Sequence, residues 1–180
     1  MRTKRVTVVP YDAAWESAFE KIKREIEAVI GDMILSIEHI GSTSVKGMSA
    51  KPCIDVDVII TDYTGFAAVV CGLESIGYIH EGDLGIQHRE AFKYFGKEHL
   101  QTHHLYVCPK YSEELHRHIT FRDFLRSNPE AVKKYSLIKE KAAELFPNDI
   151  DGYIENKSPC IEELYKECGL KSTNSNLLIK

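Results

Sequence analysis

The chain has 180 residues, 43% of them hydrophobic and 28% charged, and a formal net charge of −4. This composition fits a globular protein of one domain, or of a core with a helical extension, and the acidic balance argues against broad nucleic-acid binding, which needs a basic face. The five cysteines are odd in number and make no C-x-x-C pair, so reduced thiols of a cytoplasmic protein are expected rather than a disulfide framework or structural zinc site.

The basic start, MRTKRVTVVPYD, shows no long apolar region or cleavage site, so no signal peptide is expected. No apolar run reaches the roughly 18 residues that a membrane span needs. Apolar residues 6–9 stop at Pro10, and Asp12 is placed to cap a helix. Trp15, Phe19, Ile22, Ile26, Val29 and Ile30 then recur at helical spacing up to Gly31. Residues 33–40 read as a strand ending at Gly41-Ser42, 43–52 as a loop and 54–60 as the next strand. A helix over 63–76, closed by Gly77, leads to a short segment at 78–80, a Gly-rich turn at 81–85, and strands at 91–95 and 103–108. Three helices follow at 112–127, 130–146 and 149–168. Residues 1–110 thus read as a mixed α/β core, 111–170 as a helical region packed on it, and 171–180 as a flexible tail.

The strand over 54–60 is unusual. Strand side chains alternate between faces, so Asp55 and Asp57 share one face while Ile54, Val56 and Val58 share the other. Aspartate is a poor strand former, and two carboxylates about 7 Å apart along a strand repel unless a cation or proton lies between them. A strand with one wet face is the plain alternative. Upstream, Gly41 lets a backbone approach a ligand closely, and the Ser42 hydroxyl with neighbouring N–H groups suits phosphate oxygens.

An apolar residue, Gly-Ser, about a dozen residues and then Asp-apolar-Asp-apolar resembles the signature of the nucleotidyltransferase superfamily. Ile40-Gly41-Ser42 and Asp55-Val56-Asp57-Val58 fit it. The stretches VVPYDAAW, IEHIGSTSVKGMSAKPCIDV, LGIQHREAF, THHLYV and HRHITFRDFLRSNP resemble one branch, the GrpB-like family. The resemblance implies a nucleotidyltransferase-like α/β core with a mixed sheet and a C-terminal helical region. It also implies divalent-metal-dependent transfer of a nucleoside monophosphate from a nucleoside triphosphate to an acceptor, here an unknown small molecule or protein. In active members two Mg²⁺ ions are held by two aspartates on one strand and a third carboxylate on a neighbouring one. Here that neighbour reads Thr102-His103-His104-Leu105-Tyr106-Val107, without an acid. A histidine there would serve as a base or ligate a metal such as Mn²⁺ or Zn²⁺ instead; loss of catalysis, leaving a nucleotide-binding module, is the alternative.

The expected catalytic and metal-binding residues are therefore Asp55, Asp57 and His104, with Mg²⁺ or Mn²⁺. His104 is favoured over His103, although pattern alone does not set the register. His39, Gly41, Ser42, Lys51 and Arg89 are the expected phosphate contacts, with Lys46 also in the connecting loop. Glu38 is expected at a solvated strand end, Arg122 and Arg126 on a solvated helix face, and His116 and His118 outside the site. A zinc site from His99 and His103 has little behind it, because it spans a hairpin.

Overall fold

A computed structural model describes residues 5–171. Helix α1, Ala14–Ile30, buries Trp15, Phe19, Ile22, Ile26 and Ile30, the face that the periodicity marks out. Its last turn continues as a 3₁₀ turn over Gly31–Met33, so strand β1 is shorter than expected, Ser36–Ile40. Strand β2, Ile54–Ile60, follows the loop. The helix expected over 63–76 begins as a 3₁₀ turn, Tyr63–Gly65, because the Asp62 side chain accepts from the Thr64 N–H at 2.7 Å; α2 proper is Phe66–Ser75. Strands β3 (Tyr78–Gly82), β4 (Glu90–Tyr94) and β5 (His103–Pro109) complete the α/β part. Helices α3 (Glu113–Ser127), α4 (Pro129–Leu145) and α5 (Ile150–Glu167) follow. Residues 172–180, most of the expected tail, lie outside the described residues.

The sheet has the order β1-β2-β5-β4-β3. Strands β2 and β5 run parallel at its centre, and the other neighbours are antiparallel. A parallel pair needs a long crossover; α2 and the β3–β4 hairpin supply it. One sheet face carries Ile54, Val56, Val58, Leu105 and Val107, packed with residues of α1 and α2 into the main core. The opposite face carries Asp55 and Asp57, and there Ile59 and Cys108 pack against Leu115 of α3.

Helices α3–α5 also close around the loop after β1. Val45 and Met48 of that loop are buried with Leu125, Val132, Tyr135, Ile161 and Leu164. Ser49 is fixed by polar contacts to α4, its N–H donating to Ser136 Oγ at 3.0 Å and its hydroxyl to Glu140 Oε1 at 2.5 Å. The Ser112 hydroxyl caps α3 by accepting from the Leu115 N–H at 3.3 Å, and Pro129 opens α4 where its missing N–H costs nothing. Among the described residues no helix is long and apolar enough to cross a membrane.

Ile26 is fully buried in the main core. Ile26→Ala is expected to cost about 2–5 kcal/mol, as truncation of a buried aliphatic side chain does. Urea denaturation of both proteins measures it.

Candidate functional site

In the parallel β2–β5 ladder Asp55 is the register partner of His104, and Asp57 that of Tyr106. Partners in register share a face, so the aspartates and His104 meet while His103 points into the core. There His103 is 3% exposed and hydrogen-bonded to the Tyr78 hydroxyl at 2.7 Å. His104 Nδ1 lies 2.9 Å from Asp55 Oδ1, with Cys53 Sγ 3.8 Å from the same nitrogen. His99 is engaged with Glu25 at 2.8 Å, and the structure does not join it to His103.

Asp57 is fully buried. Its Oδ2 lies 2.7 Å from His118 Nδ1, whose other nitrogen lies 3.2 Å from Glu114 Oε1. His118, expected outside the site, is thus part of it. A signal that could have found it is the helical spacing of Leu115, His118, Ile119, Arg122 and Leu125, the face that α3 turns inward. Arg122 is likewise not solvated: it is 9% exposed and donates to Glu38 Oε2 at 2.8 Å and to the His39 carbonyl at 3.2 Å. Glu38 is the register partner of Asp57 on β1 and shares its face, but Arg122 occupies it.

Both histidines carry charge. The hydrogen bond that His104 donates to Asp55, helped by Cys53, raises His104 to about 10. Burial opposes the charge on His118, but Asp57 and Glu114 outweigh it and also raise it to about 10. Burial would raise the Asp55 carboxyl, yet His104, His118 and Lys51 together hold it below its usual value.

Gly41 lies against Asp55. Its φ of 70° and ψ of −174° belong almost solely to glycine, and a Cβ there would sit 2.9 Å from Asp55 Cγ. Ser42 Oγ accepts from Lys139 Nζ at 2.9 Å. Lys139 is 2% exposed, and burial, with Lys157 nearby, pulls its pKa well below the usual lysine value. Burial, then Lys51 beside it, brings Lys157 down to about 8. Among the described residues, none of Lys51, Lys139 and Lys157 forms an ion pair within 4.0 Å. Sequence reasoning found Lys51 and missed the other two. Lys139 falls on the apolar stripe of α4 with Val132, Tyr135 and Ala142, a place where a lysine needs a reason.

Two expected phosphate contacts are placed otherwise. His39 pairs with Val56 on β1, hence on the face opposite the aspartates. It stacks on Phe19 with ring centroids 4.7 Å apart and reaches Thr43 Oγ1 at 3.0 Å, so it braces the Gly41-Ser42 turn from behind. Burial lowers its pKa to about 4. Arg89 is not an open cation. It is 5% exposed and lies over the Tyr106 ring, 4.4 Å from the centroid. Lys46 is exposed.

The donor set suits one cation better than two. Asp57 Oδ1 is a buried acceptor without a hydrogen-bond partner among the described residues, a deficit of about 1–3 kcal/mol that a cation would relieve. For a second ion a third carboxylate is missing. On this face β5 presents His104, Tyr106 and Cys108, and Glu38 of β1 is taken by Arg122.

Residues 5–167 match the GrpB protein family. The chain belongs to that family. It is 34% identical over 167 residues to the glutamate-rich protein GrpB of Alkalihalophilus pseudofirmus, covering 90% of this chain and 95% of that one. It is 31% identical to the UPF0157 protein YqkA of Bacillus subtilis over 88% of this chain, and spans only 46% of that longer relative. The crystal structure of conserved protein GrpB from Enterococcus faecalis superposes with a TM-score of 0.80 at 32% identity, over 90% of this chain and 96% of the other. More distant is a structure of the GLD-2/RNP-8 complex, with a TM-score of 0.59 at 13% identity, covering 94% of this chain and 65% of that one. The Cid1 poly(U) polymerase bound to MgATP gives 0.53 at 8% identity, over 74% and 42%. These two show that the GrpB fold is the nucleotidyltransferase fold.

His104 and His118 both titrate above the ordinary histidine value of about 6.5. Their pairing therefore contributes fully below that pH and is lost as pH rises through about 10. The thermal midpoint is expected to fall across this alkaline window, and His118→Gln to lower the midpoint at neutral pH while flattening the slope. Calorimetry as a function of pH checks both; an equally steep slope in the variant would contradict the assignment.

Proposed function

We propose that this chain binds a nucleoside triphosphate against the aspartate face of the sheet and transfers its nucleoside monophosphate to an acceptor, with a divalent cation. The acceptor is a small molecule or a protein group rather than a nucleic-acid end, in keeping with the net charge of −4. One observation carries the reading. Lys51, Lys139 and Lys157 converge with Ser42 and the Gly41 turn beside Asp55, and no protein carboxylate pairs with those lysines among the described residues. A buried lysine without an anion is costly, and a polyphosphate supplies the anion. The structural neighbour that holds MgATP supports the ligand class.

The residues divide the work by chemistry. Gly41 brings backbone close to the phosphates because it has no Cβ, and Lys139 with Ser42 orients their oxygens. A cation held at Asp55 would polarise the phosphoryl oxygens and lower the pKa of the attacking group. His104, protonated beside Asp55 at neutral pH, is in the form that donates a proton to a leaving oxygen rather than the form that takes one.

A second reading rests on Asp57. It is fully buried and held by His118, so a protein that only binds the nucleotide, and regulates through it, also fits.

Binding of ATP, GTP, CTP and UTP, with Mg²⁺, Mn²⁺ or neither, tests the proposal. Lys139→Met keeps the volume and removes the charge. It is expected to weaken nucleotide binding roughly 10–100-fold, the loss of a charge-assisted hydrogen bond of about 1.5–3 kcal/mol. Asp55→Asn is expected to abolish the cation dependence. Unchanged binding in both variants sinks the reading. Binding without pyrophosphate release, against pools of small-molecule and protein acceptors, selects the second.

A further inference from the structure

The cysteine just before β2 has no place in the nucleotide reading. Cys53 and Asp55 are two residues apart and lie on one side of the chain, and His104 faces Asp55 across the ladder. Cys53 Sγ is 3.8 Å from His104 Nδ1 and 3.9 Å from Nε2, while Asp55 Oδ1 is 2.9 Å from Nδ1. One donor atom from each residue falls within 4.8 Å of the other two. In a tetrahedral zinc site with ordinary bond lengths, sulfur and nitrogen ligands stand about 3.6 Å apart, and nitrogen and oxygen ligands about 3.3 Å. The sulfur–nitrogen and nitrogen–oxygen separations here are within a few tenths of an ångström of those values before any ion enters. The side chains of Asp55 and His104 are 31% and 41% exposed, and Cys53 is half-buried, so an ion can reach them and still keep an open coordination position.

We propose that Cys53, Asp55 and His104 bind a single thiophilic divalent cation of the Zn²⁺ class, in place of the oxygen-seeking Mg²⁺ of the wider superfamily. The inference rests on reading this cleft as a cation site; it changes which ion occupies it, and with that ion bound His104 is a ligand and no longer the proton donor. Ligand softness decides the ion. Mg²⁺ takes oxygen ligands and keeps its waters, whereas a thiolate with an imidazole and one carboxylate selects Zn²⁺ or its relatives. Three protein ligands and one open position also match a site at which an ion meets a substrate oxygen. On binding, the sulfur, the carboxylate oxygen and an imidazole nitrogen each form a bond to the ion. The thiol and the imidazolium give up their protons to solvent, and no electron changes hands. Asp57, held through Oδ2 by His118, lies outside this set of three donors.

Cobalt(II) is the probe, because a thiolate bound to it produces a sulfur-to-metal charge-transfer band. Full-length protein, reduced and stripped with a chelator, is titrated with Co²⁺. A band saturating at one ion per chain is expected, displaced by Zn²⁺ and untouched by a large excess of Mg²⁺. Cys53→Ser is expected to remove the band, His104→Gln to weaken Co²⁺ binding at least tenfold, and Cys71→Ser, at an exposed thiol elsewhere, to leave it intact. No band in the wild type, or a band that survives Cys53→Ser, overturns the proposal. Should Cys53→Ser fail to fold, protection of Cys53 from alkylation by Zn²⁺ in the wild type, read by mass spectrometry, replaces it; equal alkylation with and without Zn²⁺ overturns the proposal. The two readings fail separately. Nucleotide bound with Mg²⁺ but no cobalt band refutes only the thiophilic site, and a cobalt band with nucleotide binding unaffected by Lys139→Met refutes only the nucleotide site.

Discussion

Two carboxylates on one face of a strand repel each other, and the arrangement around them follows from the need for positive charge. Each aspartate meets its own imidazolium: Asp55 meets His104 from the neighbouring strand, and Asp57 meets His118 from α3. The two pairs differ in weight. Asp57 is fully buried, and removing one partner of a buried pair costs about 3–5 kcal/mol. The Asp55–His104 pair is open to solvent, where such pairs contribute about 0–1 kcal/mol. Asp57 therefore anchors α3, and Asp55 is the carboxylate that a ligand can claim at little cost. Arg122 on Glu38, from the same helix, adds a second electrostatic tie between α3 and the sheet.

Much of this was legible in the sequence. The period-two alternation of 54–60 put the aspartates on one face, and the glycine before Ser42 marked the turn that closes on Asp55. Whether His103 or His104 joins them was not legible. It depends on the pairing of β2 with β5, set by strands about fifty positions apart whose apolar patterns tolerate either placement. His118 and Lys139 were hidden for another reason. Each sits on the buried stripe of a helix, and a stripe shows that a side chain is inward without showing what it meets. His39 misled because its register partner is Val56, which puts it on the face opposite the aspartates, whereas Gly41 meets Asp55 only because the chain leaves the strand there at a positive φ.

Within the GrpB family the fold is that of nucleotidyltransferases, yet the residues of this chain depart from the usual all-carboxylate set. The departures are mutually consistent. Where an acid is missing on β5 a histidine stands, and the imidazole lies beside both a carboxylate and a thiol. The lysines collect near Asp55 from the loop, α4 and α5, so the one carboxylate is shared between cations and the thiol–imidazole pair.

The clamped loop has a consequence for how the protein can be divided. Val45, Met48 and Ser49 are gripped by α3–α5, and the Ser44 carbonyl by Arg126 at 3.0 Å, while the same loop carries Gly41 and Ser42. A truncation after β5 would strip the turn of its external scaffold and expose Val45 and Met48 to water. The α/β part is then a core without a formed Gly41-Ser42 turn, and the C-terminal helices are better regarded as the second jaw of the cleft than as an appendage.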